Sequence, residues 1–336
     1  MISTPCIFFT GVGRAEAGLT ELPDPGPDDV VVETILSSIS PGTELRCLAG
    51  EQEGLGRDHF PFVPGYSLVG RVARAGQRHR ALEGTVVFSS GARRARHTMA
   101  WGGHIAAAVV PAESIVPVPA GIREEDAVLA KLAAIAHRGV SMARPEAGEA
   151  VVVVGLGAIG QMSARLFAIA GARVLGVDLA PARARLAERA GITTLVPEGP
   201  LGEAVRRRLP GGAPIVVDAT GSPCLLRETM SLVRDKPWDE SDTPGGRVVV
   251  QGSYPGDITL PSSTPFAREM TMLWPRDSQR RDIERVFELL GDGRLRFDGI
   301  LGSVHPPAEA QAVYDQLRSR DGALVTAAFR WRRAAT

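Results

Sequence analysis

The stretch VVVVGLGAIGQMSARLFAIAGARVLGVD, residues 151–178, constrains the fold more than any other part of the chain. A run of valines with no polar alternation reads as a strand buried on both faces, the habit of a parallel sheet covered by helices. Gly155, Gly157 and Gly160 follow at G-x-G-x-x-G spacing, and Ala158 and Ile159 open a helix with Met162, Leu166 and Ile169 on one face. A second strand, 173–178, closes on Asp178. The first glycine permits a tight turn, the second lets backbone approach a pyrophosphate, and the third lets the helix lie close to the strand. The helix N-terminus then meets the negative charge. Three glycines alone are a weak sign; strand, helix, second strand and terminal acid in this order make a dinucleotide site. A carboxylate at Asp178 accepts both ribose hydroxyls of NAD and repels a 2′-phosphate. Arg183 and Arg185 follow shortly after and are read as outer-face residues of the next helix; turned inward, they would admit NADP.

Around this unit the grain of the chain changes twice. Before about residue 122, short apolar or alternating runs (28–39, 66–76, 83–90, 104–111) stand between Gly, Pro and Asp signals such as PDPGPDD, the pattern of a small, partly closed β domain. REEDAVLAKLAAIAHRGVSMA, 123–143, has helical spacing with acids at its start. Strands then alternate with helices through 150–155, 173–178, 214–221, 246–252 and 269–274, which implies a parallel sheet with helices on both faces. DIERVFELLGDGRL and PPAEAQAVYDQLRS supply two amphipathic helices, and GALVTAAFRW a last strand. The loop RDKPWDESDTPGGR, 234–247, reads as solvated surface, with a lid over the site as the other reading.

At 336 residues the chain suits two domains, and its net charge of zero offers no electrostatic footprint for nucleic acid or an anionic membrane. The run Arg93-Arg94-Ala95-Arg96 is short and reads as a solvated loop. No apolar stretch reaches the ~20 residues that span a bilayer. MISTPCIFFTGVGRAEAG shows neither a basic segment nor a long apolar one, so no secretory signal is expected. Cys6, Cys47 and Cys224 lie far apart with no paired spacing, which fits a reduced, cytoplasmic location.

The order of parts, together with ELPDPGPDDVVVE, SISPGTEL, PFVPGYSLVGRVARAG, DATGSP and GRVVVQGS, resembles the medium-chain dehydrogenase/reductase superfamily, the alcohol dehydrogenase-like enzymes. The resemblance covers essentially the whole chain. SISPGTEL is most similar to a zinc-free branch that includes bacteriochlorophyllide dehydrogenase-like proteins. The resemblance implies an α/β chain with a GroES-like β-rich catalytic domain over 1–131, a Rossmann doubly wound parallel-sheet NAD-binding domain over 132–276, and a C-terminal return of the catalytic domain over 277–336. It places Thr220 and Gly221 of DATGSP beside the adenosine of NAD and Gly252, Ser253 and Tyr254 of QGSY near its nicotinamide. It also implies a homodimer that pairs through the strand EMTMLW.

Zinc-dependent members hold their metal with a Cys, a His and a third ligand, and here those positions carry Pro41, Tyr66 and Lys131. Proline cannot ligate, and phenol and ammonium are poor substitutes for thiolate and imidazole. Three cysteines cannot form the four-cysteine structural lobe either. A set improvised from Glu44, Cys47 and His59 is the remaining metal reading.

Without a metal, an ammonium at Lys131 would stabilise the developing alkoxide, and Tyr66, with a neighbouring cation to ease ionisation, would act as general acid and base. Of the 38 basic residues only Lys131 and Lys236 are lysines, which draws the eye to Lys131. The resemblance makes Thr43 a proton-passing hydroxyl, with Arg46 where a relay histidine often continues the path, and His137 is a fallback acid. Two plainer readings stand beside these: Tyr66 filling the space of a metal, and Lys131 pointing to solvent. Three functions follow from the sequence. The first is a zinc-independent, NAD-dependent oxidoreductase interconverting a secondary alcohol and a ketone on a small-molecule substrate. The others are an enoyl- or quinone-type double-bond reductase and a dinucleotide-binding protein without turnover.

Overall fold

The valine run is the centre of a six-stranded sheet in the computed structural model, which describes residues 2–97, 101–239, 242–319 and 322–331. Val151, Val152 and Val153 are fully buried. Burial of each side chain of this size contributes about 1.5–3 kcal/mol, which fixes the strand between two helical layers. Its neighbours are all parallel. Across the sheet the strands run Thr193–Leu195, Arg173–Val177, Ala150–Val154, Ile215–Asp218, Arg247–Val250 and Thr271–Leu273. In chain order that is 3-2-1-4-5-6, the doubly wound Rossmann arrangement, whose order reverses between Ala150–Val154 and Ile215–Asp218. These strands and their helices make up the unit Leu132–Asp282.

The other unit comprises Met1–Lys131, Ile283–Arg320 and Leu324–Thr336. Its seven-stranded sheet runs Leu301–His305, Thr326–Arg330, Asp29–Ser38, Leu68–Ala75, Val86–Ser89 and Val116–Pro117, with Ala107–Pro111 added to Asp29–Ser38. All pairings are antiparallel except the first, where the C-terminal strands meet. This is the β-rich, GroES-like half of the fold. A hairpin, Ile2–Gly11 with Arg14–Leu22, lies beside it and is absent from the sequence reading. No helix among the described residues is long and apolar enough to cross a membrane.

Three local readings are corrected. The helix expected over 123–143 is two helices, Glu124–Ala127 and Ala130–Ala143. The Val128 carbonyl between them accepts hydroxyl bonds from Ser38 and Ser67, which pulls it out of the helical ladder. SISPGTEL, read only as a motif, contributes a helix, Pro41–Ala49, with proline at its first position and Gly50 in the left-handed region at its end. The basic run is not only solvated: Arg94 reaches both oxygens of the nearly buried Asp29 at 2.6 Å. The loop 234–246 carries neither helix nor strand among its described residues, and 240 and 241 lie outside them.

Candidate functional site

The glycine turn separates what the protein needs from what a ligand needs. Gly155 has φ +87°, the left-handed region that favours glycine, and a Cβ at Gly160 would fall 1.7 Å from the Gly155 carbonyl oxygen. Both glycines are therefore demanded by the chain itself. A Cβ at Gly157 would meet nothing within 4 Å. The fold leaves that space open, and a pyrophosphate approaching the backbone fits it. Gly157 is also the N-cap of the Ala158–Ile169 helix and makes no side-chain cap. The first-turn N–H groups of Ala158, Ile159 and Gly160 can thus face an anion.

Asp178 closes the neighbouring strand with one oxygen accepting the Leu156 N–H at 2.6 Å and the other the Ala180 N–H at 2.8 Å. Those bonds tie the acid to the glycine turn, and the remaining lone pairs of a carboxylate still suit a ribose diol. Arg185 is exposed, in keeping with an outer face, but Arg183 is not a bystander: its Nη1 lies 3.9 Å from Asp178.

Thr220, Gly221, Gly252 and Tyr254 come together at the adjacent strand end. Both the N–H and the hydroxyl of Thr220 donate to Asp218 Oδ1, at 2.9 and 2.7 Å, and the Tyr254 phenol joins them at 2.7 Å. Burial, reinforced by the Asp218 carboxylate, pushes the Tyr254 phenol well above the ordinary phenol range. A Cβ at Gly252 would sit 2.5 Å from the Gly221 nitrogen, and one at Gly221 would sit 2.8 Å from the Ser253 carbonyl oxygen. The organiser of this corner is the buried Asp218, which the sequence reading passed over although it begins DATGSP.

In the β-rich unit, Tyr66 stands on the turn that leads into the Leu68–Ala75 strand. Gly65 has φ +84°, and a Cβ there would strike the His104 ring at 2.8 Å. Only glycine lets the turn close on His104. The Tyr66 ring meets Trp101 edge-on, with centroids 5.5 Å apart, and its phenol reaches two hydroxyls, Ser40 and, at 3.3 Å, Thr43. Ser67, the other hydroxyl of the turn, is anchored on Val128 at 2.6 Å, three residues before Lys131. Lys131 is buried rather than pointing to solvent.

His137 is not part of this hydroxyl cluster; its Nδ1 is held by the buried Asp282 at 2.9 Å. Arg46 reaches Gln52 at 2.7 Å. Glu44, Cys47 and His59 do not form the improvised metal set. Glu44 is committed to Ser40, His104 and Tyr314, and burial pushes the Cys47 thiol up to about 12. Among the described residues no group of three or more His, Cys, Asp or Glu is placed to hold a metal ion. At the positions the resemblance assigns to ligands, Pro41 offers no side-chain donor, and the Tyr66 phenol and Lys131 ammonium are poor ligands for zinc.

The Rossmann order and its glycine turn are features of dinucleotide-binding folds, and comparison with known proteins finds dehydrogenases. A family model described as zinc-binding dehydrogenase matches residues 158–291, a span that excludes Pro41, Tyr66 and Lys131. The 2-desacetyl-2-hydroxyethyl bacteriochlorophyllide A dehydrogenase of Rhodobacter capsulatus is 29% identical over 93% of this chain and 94% of its own length. The L-galactonate-5-dehydrogenase of Escherichia coli K12 is 26% identical over 88% of this chain and 90% of its own. Among solved structures, an alcohol dehydrogenase of Escherichia coli CFT073 complexed with NADH superposes with a TM-score of 0.83 at 18% identity, covering 98% of this chain and 99% of that one. A zinc-binding-dehydrogenase-like protein of Sinorhizobium meliloti 1021 bound to NADP gives 0.82 at 21% identity, covering 98% of this chain and 100% of that one. Over nearly its whole length the chain is similar to these dehydrogenases, and it shares their two-part fold. Both NADH and NADP occur among the solved structures to which this chain is similar.

Proposed function

We propose that this chain is a zinc-independent, NAD(H)-dependent oxidoreductase that interconverts a secondary alcohol and a ketone on a small or medium-sized metabolite. The observation that carries the reading is the Tyr66 phenol, at the family's histidine-ligand position, within hydrogen-bond reach of Ser40 and Thr43. Bound nicotinamide supplies or accepts the hydride at the carbinol carbon. Tyr66 exchanges the proton of the substrate oxygen, and the half-exposed Thr43 passes it toward solvent. Buried Lys131 steadies negative charge on that oxygen, where low polarity strengthens the attraction.

Gly155, Gly157, Gly160 and the first turn of the Ala158–Ile169 helix hold the pyrophosphate in this reading. Thr220 and Gly221 flank the adenosine side, and Gly252, Ser253 and Tyr254 the nicotinamide side. Asp178 favours NAD over NADP, and Arg183 beside it tempers that preference. The Thr271–Leu273 strand ends the parallel sheet with Trp274 exposed beside it, and we assign it as the homodimer edge. The three cysteines are free, in keeping with a cytoplasmic enzyme.

Turnover of secondary alcohols, ketones and enones with NADH and NADPH tests the reading. Loss or gain of a carbonyl is the expected product change. Reduction of the alkene alone would assign the double-bond reductase instead, and cofactor binding without turnover on any of them would leave a binding protein.

A further inference from the structure

Ser40 precedes the Pro41–Ala49 helix at the position where serine usually caps, yet its hydroxyl makes no cap bond. Its backbone N–H goes to Glu44 Oε1 at 2.7 Å, so the acid ties down the residue while the hydroxyl turns to the Tyr66 phenol. Glu44 is itself immobilised. It is fully buried, and its second oxygen accepts from His104 Nε2 at 2.8 Å and from the Tyr314 phenol. A carboxylate only accepts, so the His104 Nε2 that faces Glu44 carries a hydrogen. Ser37 Oγ accepts from the Trp331 indole at 2.9 Å and shares a hydrogen bond with His104 Nδ1 at 2.8 Å. Three donors, from Ser40, His104 and Tyr314, converge on one carboxylate, and a satisfied buried network of this kind is rigid.

We propose that Ser40 is a positioning residue for catalysis, its hydroxyl aimed by Glu44 so that it orients the Tyr66 phenol and supports its phenolate. The proposal rests on Tyr66 being the acid–base group. In the reducing direction the phenol gives its proton to the carbonyl oxygen while the carbon takes hydride from the reduced nicotinamide, leaving phenolate; oxidation returns the proton. Once the phenol proton has left, the Ser40 hydroxyl rotates and donates to the phenolate. A hydrogen bond to an anion is stronger than one to a neutral oxygen, so Ser40 makes the phenol easier to ionise.

The chain has three tyrosines, which permits a test independent of turnover. Burial, with a carboxylate at each phenol, holds Tyr254 and Tyr314 well above the ordinary phenol range, which keeps their steps apart from the one sought for Tyr66 in an alkaline ultraviolet titration. Its step is assigned by its loss in Tyr66→Phe. Ser40→Ala keeps the backbone N–H that Glu44 holds, so the helix entry is retained. We expect Ser40→Ala to raise the Tyr66 midpoint by about one unit, the difference between a charged and a neutral hydrogen bond. We expect kcat to fall about tenfold with its pH limb displaced equally, NADH affinity to stay within about twofold, and Ser40→Thr to restore both. An unmoved midpoint, or a threonine no better than alanine, overturns the proposal and leaves Ser40 structural. Full turnover in Tyr66→Phe overturns the reading of Tyr66 and with it the catalytic role of Ser40, even where the midpoint moves.

Discussion

The two polar centres of this molecule are built on opposite plans. The proposed nucleotide cradle is made of backbone: a left-handed glycine, bare N–H groups at a helix start, and a second glycine pair pressed together at the neighbouring strand end. The hydroxyl cluster is made of side chains, and a buried carboxylate orders it from behind. A backbone site fails when any side chain is added. A side-chain site fails when one acceptor is taken away.

The comparison is broken most severely by adding bulk to the cradle. Gly160→Val would drive a side chain into the Gly155 carbonyl, and we expect no folded nucleotide unit and no measurable NADH binding. Gly157→Ala is the control: with nothing within 4 Å of its Cβ, thermal stability should hold while NADH binding weakens about tenfold, or about 1.4 kcal/mol. Equal loss of stability in both would show that the open space belongs to the protein and not to a ligand.

Taking the acceptor from the other centre comes next. Glu44→Ala leaves the buried donors of Ser40, His104 and Tyr314 unpaired. Urea unfolding should show a loss of roughly 3–5 kcal/mol. A loss below about 1 kcal/mol, the range of an exposed contact, would mean that the carboxylate is not the anchor. Tyr66→Phe and Lys131→Ala should each lower kcat at least ~100-fold, about 2.7 kcal/mol of barrier, without changing NADH affinity. Near-wild-type turnover in both returns Tyr66 to a space-filling role. The smallest expected effect is Asp178→Ser, which should shift preference toward NADPH about tenfold by removing like charge. Tighter NADPH binding in the unaltered protein would remove Asp178 from the ribose.

The contrast also explains what could be read in the residues beforehand. Gly155, Gly160 and Asp178 act through local backbone geometry, so their spacing along the chain carries their placement. The valine run and the alternation after it carry the parallel, helix-covered sheet for the same reason. Glu44, His104, Tyr314 and Trp331 meet across distant segments of the chain, and no periodicity joins them. Ser40 lies within SISPGTEL, legible only as a motif, and nothing in those residues shows that its hydroxyl meets a phenol from a distant turn. Arg183 shows the limit of a helical-face argument near a helix start. The partner that turns it inward, Asp178, lies on the preceding strand end, outside the helix whose face was being counted. The break at Val128 likewise comes from distant hydroxyls, Ser38 at a strand end and Ser67 on a turn, not from a breaker residue.

The central claim is that hydroxyls and an ammonium stand where zinc-dependent members of the superfamily hold a metal. Elemental analysis of active protein purified without chelators, with turnover measured before and after EDTA treatment, tests it most directly. Zinc below about 0.1 per chain and unchanged turnover is the expected result, whereas about one zinc per chain, lost together with activity, would contradict the account.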